Sequence, residues 1–154
     1  MTVDQDLSKL PDFPPFSAWS PTENPNYLKI LEEEKRKARL TGVDISLNVL
    51  EVTEGDEAYV EDCGLSGFAR KEGDVYLIGL NEMPEIRGKT GHTVRNTIRH
   101  ELAHIRNGDC DRYLAQRAYL DSLPKFLKPF YLWYIHAYEN FVSEPRARRY
   151  ARMN

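Results

Sequence analysis

Cysteine is scarce in this chain, with Cys63 and Cys110 the only two in 154 residues. That excludes the disulfide frameworks that hold small secreted domains together. Two thiols in dissimilar surroundings read as reduced, with a single Cys63–Cys110 bridge as the alternative. Long apolar runs are missing as well, and no window approaches the roughly 18 apolar residues of a membrane span. Met1 to Leu10 carries Asp4, Asp6 and Lys9 without an apolar stretch of about seven residues. Neither a secretory leader nor a membrane partner is therefore expected, and the reading is a soluble, cytoplasmic protein. Nor does charge of one sign dominate. The 21 basic and 24 acidic side chains leave a formal charge of −3, which provides no overall field for nucleic acid. Internal repeats are absent.

What is present suits one domain. Apolar residues at 41% and charged residues at 29% match a soluble globular composition, and the length accommodates a single core. Five of the nine prolines (Pro11, Pro14, Pro15, Pro21 and Pro25) crowd between residues 10 and 25 beside Phe13, Phe16 and Trp19. Residues 1–24 are accordingly read as an extended arm whose aromatics anchor it to the domain surface, either as a packing strap or across a cleft. Residues 25–154 form the domain proper.

Asn24-Pro25 has the form of a helix start, and the helix is expected to run to Leu40 and stop at Gly42. Its core face is Leu28, Leu31 and Ala38. The run Glu32 to Lys37, acidic early and basic late, reads as a solvated face. Val43 to Val52 alternates apolar and polar residues as a half-buried strand does. Shorter strands are expected at 58–61, 67–70 and 75–81, the last two joined by Lys71-Glu72-Gly73-Asp74 as a hairpin. Helices follow at about 90–108, 112–123 and 129–142, then a basic segment to Met153. The segment from Phe130 to Tyr138, apolar nearly all round, reads as a buried helix with His136 as a core histidine. The fold class is α+β: a small, mostly antiparallel sheet packed on one helix, with additional C-terminal helices.

That one helix carries the chemistry. It contains His100-Glu101-Leu102-Ala103-His104. Two imidazoles four residues apart project from one face a turn apart, so both can ligate one metal ion, and Glu101 beside them can serve as a general base without being a ligand. Val94, Ile98, Leu102 and Ile105 form the apolar stripe of the same helix, and His100, Glu101 and His104 lie off it. A core histidine falls on such a stripe. Surface histidines do not explain a carboxylate between them.

A hydrolytic zinc site needs a third protein ligand, and Glu144, Asp111, Asp109, Glu139 and His136 are the candidates downstream. Ile105 to Asp111 offers a turn at Gly108, with Asp111 as alternative third ligand. Asp109 or Asp111 could instead accept the second ring N–H of a ligand histidine. In the segment Val75 to Ala151 the chain resembles the zincin metallopeptidases that carry His-Glu-x-x-His, and among them the gluzincins, including the small minigluzincins and SprT-like proteins. The residues that carry the resemblance are Val75 to Asn81, Thr97 to Ile105 and Glu144 to Ala151. It implies a zincin-like fold, Zn²⁺ as cofactor and Glu144 as third ligand. Where such proteins often hold an Asp or Asn four residues after the ligand Glu, this chain has Arg148, and Pro145 pushes Glu144 toward a kink or helix start.

The expectation is a zinc-dependent metallopeptidase in which a metal-activated water attacks the peptide carbonyl, with Glu101 as general base. It could be latent if the arm covers the cleft. A peptide or protein is the expected substrate, added to the edge of the sheet at Val75 to Asn81. The oxyanion donor is left open among Tyr134, Tyr138, Tyr150 and His136. The alternative is a non-catalytic module on the same scaffold that contacts a protein or nucleic acid through Arg146, Arg148, Arg149 and Arg152.

Overall fold

The computed structural model of the protein describes residues 19–50, 67–81 and 93–153. The strand expected at 58–61, Cys63 and residues 1–18 of the arm lie outside the described residues. Four strands, β1 (Trp19–Pro21), β2 (Ile45–Leu50), β3 (Gly67–Glu72) and β4 (Val75–Leu80), form one mixed sheet in the order β1-β2-β4-β3. The end of the arm is thus part of the sheet, and Pro21 sits on an edge strand, where its missing N–H costs nothing. The antiparallel expectation holds at both margins, for β1 with β2 and for β3 with β4. The central pairing of β2 with β4 is parallel, Ile45 opposite Tyr76 and Val49 opposite Leu80.

The β3–β4 hairpin turns through Gly73, whose φ of 58° suits a tight reversal between Glu72 and Val75. It docks on β2 through its second strand, so among the described residues β3 is an edge of the sheet and β4 is enclosed. This corrects the assignment of Val75 to Asn81 as the strand open to substrate. A strand already paired on both sides has no unsatisfied backbone groups to offer.

Helix α1 (Pro25–Lys37) starts as expected, with the Asn24 side chain accepting from the Asn26 N–H at 3.0 Å. It ends before Leu40, because Arg39 at φ 59° and Gly42 at φ 90° take the chain out of the helix. Leu31 and Ala38 are buried, but Leu28 is 40% exposed and does not belong to the core. Glu34 corrects the reading of a wholly solvated charged run. It is 1% exposed and accepts from Arg95 at 2.5 Å and Arg99 at 2.7 Å, both on α2 (Val94–Arg106), and from Lys37 at 3.1 Å.

Ile45, Leu47, Ile78 and Leu80 of the sheet pack against Ile98, Leu102 and Ile105 of α2 to make the main core, closed by Leu31 and Ala38 of α1. Helix α2 touches α1, α3 (Asp109–Ser122), α5 (Glu144–Met153), β3 and β4. It is the central element of the fold. Gly108 at φ 74° ends α2 and starts α3 at once, three residues earlier than the sequence pattern indicates.

Helix α4 (Lys128–Tyr138) passes into a π-helical turn at Glu139–Ser143 and then into α5. The expectation of an all-round buried helix fails here. Leu132 and Ile135 point inward, but Phe130 and Trp133 are more than 70% exposed and His136 is exposed, because α4 has neighbours on one side only. Among the described residues no helix is long and apolar enough to cross a membrane.

Candidate metal centre

His100 and His104 stand one turn apart on α2, and Glu144 is the first residue of α5, which packs across that face. The register of Glu144 depends on the π-turn. Its backbone N–H bonds to the Glu139 carbonyl, five residues back, so the chain widens by one residue just where Pro145 would clash with the preceding turn of a regular helix. Glu144 keeps helical dihedrals (φ −60°, ψ −48°) despite the proline after it.

The three side chains converge. His100 Nε2 lies 3.2 Å from Glu144 Oε2, His104 Nε2 lies 3.2 Å from Glu144 Oε1, and the two Nε2 atoms are 3.2 Å apart. A tetrahedral ion with metal–ligand bonds of about 2.0 Å has ligand atoms about 3.3 Å from one another, which matches all three separations. Two imidazole nitrogens facing each other with a carboxylate over both form a donor set for a cation. This triple is the group among the described residues whose ligand atoms could hold a metal ion.

Asp109 supports the arrangement from behind. Its Oδ2 is 2.8 Å from His104 Nδ1, so this ring nitrogen carries the proton and Nε2 is turned toward the cluster. Its Oδ1 accepts from Arg112 at 2.7 Å and from Arg146 at 3.0 Å. Arg112 also reaches Ser143 Oγ at 2.7 Å and Tyr138 Oη at 3.2 Å, with its guanidinium 4.0 Å from the Tyr138 ring centroid. One arginine therefore joins the residue that orients His104 to the residue that precedes Glu144. Asp109 was read from the sequence as such a support. Arg112 and Ser143 were not, although Arg112 three residues after Asp109 on a helix is a spacing at which a pair forms.

Charge follows geometry. Burial opposes a charge on His104, but Asp109 and Glu144 outweigh it and lift its pKa to about 10, so a cation bound at Nε2 would take the place of a proton there. Hydrogen bonds from His100 and His104 hold the Glu144 carboxyl well below the usual carboxylate range. Burial pushes Glu101 up, against the pull of the two histidines. Glu101 is 5% exposed and lies against β3, with Oε1 3.5 Å from where a Cβ on Gly67 would stand. Burial likewise raises the Cys110 thiol to about 12, and Cys110 is free.

The other candidates are placed elsewhere. Asp111 bonds Lys71 at 2.6 Å and Tyr76 Oη at 2.7 Å, tying α3 to the hairpin, and is not in the cluster. Its expected role as alternative ligand gives way because the start of α3 at Asp109 turns Asp111 toward β3 and β4. His136 is exposed on α4, Tyr134 stacks on Tyr131, and Tyr150 packs on the main core under Arg106. Tyr138 is engaged by Arg112. Comparison of the chain with protein-family models, with curated proteins and with solved structures returns no match.

Proposed function

We propose that the chain is a zinc-dependent peptidase with a zincin-like architecture, His100, His104 and Glu144 holding the metal and Glu101 acting as general base. The observation that carries this reading is the equal 3.2 Å spacing of three donors with a fourth, buried carboxylate beside them that is not itself one of the donors. A zinc ion, when bound, supplies Lewis acidity that polarises a carbonyl and acidifies water. The carboxylate of Glu101, its pKa raised by burial, is suited to take a proton from an attacking water and return it to the leaving amine. Asp109 keeps His104 in the tautomer that presents Nε2.

The substrate is an extended peptide. Among the described residues β3 is an edge of the sheet and its Gly67 lies against Glu101, so a strand added there brings its backbone alongside the base. A purely structural metal site does not require a buried general base, which favours hydrolysis over the non-catalytic module.

The test is elemental analysis of the purified wild type beside four variants. About one zinc per chain is expected. It should be lost in His104→Ala and Glu144→Ala, and retained in Asp111→Ala and Glu101→Gln, with peptide hydrolysis abolished in the last. A wild type that takes up no zinc after supplementation overturns the proposal.

A further inference from the structure

Four arginines lie on α5, and the structure divides them into two sets. Arg146 turns toward α3 and bonds Asp109. Arg148, Arg149 and Arg152, with Pro145 and Met153, line a shallow, open surface along α5. Positions 145, 148, 149 and 152 recur at helical spacing, so they form one continuous face of α5. That face begins at the metal cluster: Arg148 Nε is 3.8 Å from Glu144 Oε2, and the Arg148 side chain is 65% exposed. Among the described residues no carboxylate pairs with Arg149 or Arg152.

From this placement we infer that the α5 face is a binding subsite for acidic peptides, which selects substrates carrying carboxylates next to the bond presented at the centre. The inference rests on the peptidase reading above and names its substrate class. A guanidinium presents donors in a fixed fork that fits a carboxylate with two parallel hydrogen bonds. Three such groups, concentrated on one helix of a chain with a net charge of −3, make a local positive field that differs in sign from the molecule as a whole. Among the described residues Glu144 is the carboxylate that approaches these arginines, 3.8 Å from Arg148, and it is committed to the two histidines. Nucleic acid is the less suited polyanion, because Pro145 and Met153, which flank the three arginines, offer no aromatic platform for stacking bases.

The experiment separates the subsite from the catalysis. Two fluorescein-labelled peptides of one sequence, differing only by Glu or Gln at alternate positions, are titrated against the Glu101→Gln protein at low salt and followed by anisotropy. The Glu peptide should bind about tenfold more tightly. That preference should fall to about threefold or less in the Arg149→Glu, Arg152→Glu double variant, whose thermal transition shows whether it remains folded. Equal affinity for the two peptides overturns the inference, as does displacement of the Glu peptide by a single-stranded oligonucleotide at lower concentration than by unlabelled peptide. A preference for Glu in binding, together with no cleavage of either peptide by the wild type, keeps the subsite and removes the peptidase reading. Cleavage of both at one rate, without a binding preference, does the reverse.

Discussion

Gly67 is where the smallest side chain has the largest consequence. A Cβ there would stand 2.5 Å from Thr97 Cγ2 and 2.8 Å from the Gly79 carbonyl oxygen, and the second neighbour is backbone that cannot rotate away. Gly67→Ala should therefore destabilise the fold by about 1–3 kcal/mol in urea unfolding. Thr97 must give way, and it stands one turn before Glu101 on α2, so under the proposed function hydrolysis is expected to fall by more than the unfolded fraction explains. Unchanged activity in the folded variant would show that Glu101 does not depend on this contact. Such a glycine is legible in the sequence only as a break between strands. Its closeness to α2 is a tertiary fact. The two histidines and Glu101 differ in this respect, since helix geometry alone puts them together and the spacing is visible in five residues. Glu144 lies between these cases: resemblance points to it, but Pro145 argues against a ligand there until the π-turn accounts for its register.

At the scale of elements, the contact between α1 and α2 is built on Glu34. Burial works against its charge, and hydrogen bonds from Arg99, Arg95 and Lys37 overcome that and bring its pKa down to about 2. A carboxyl with a depressed pKa in the folded state stabilises the fold above its unfolded value near 4.5, and that contribution is lost as the pH falls from there through about 2. Its size is on the order of 3 kcal/mol. Acid unfolding of the wild type should accordingly show a loss of stability over this window, and Glu34→Gln should be less stable at pH 7 with the pH dependence flattened. A variant with the wild-type acid profile would remove Glu34 from this role. Helix propensity and capping make α1 readable as a helix, and its charge order suits its dipole. Nothing in the run Glu32 to Lys37 distinguishes Glu34, buried between Arg95 and Arg99, from Glu33, which meets Arg95 alone, or from Glu32. The same holds for α4, where an apolar sequence is read as buried although burial requires a neighbour on every side.

For the molecule as a whole, the unusual feature is the aromatic surface left on the turn before α4, on α4 and on the π-turn. Phe126, Phe130, Trp133 and Phe141 are each more than 70% exposed, while Leu120 and Leu132 form only a small satellite core with Tyr113 and Tyr131. Because Phe130 and Trp133 already face solvent, Phe130→Ser with Trp133→Ser should change stability by less than about 1 kcal/mol and should shorten retention on a hydrophobic-interaction column. A large loss of stability would mean that these rings are covered in solution. The α+β class and the order of helices follow from periodicity and turn residues. The sheet order does not, since local patterns mark strands without saying which edges meet, and the parallel step between β2 and β4 is a long-range choice.

That step also orders events in time. The β3–β4 hairpin closes through a two-residue turn and can form within microseconds, whereas the ladder that sets Ile45 opposite Tyr76 must first close a loop of roughly thirty residues. The strand edge beside Glu101 is thus made early, as part of the hairpin, and acquires its place over α2 only when the slower non-local pairing completes.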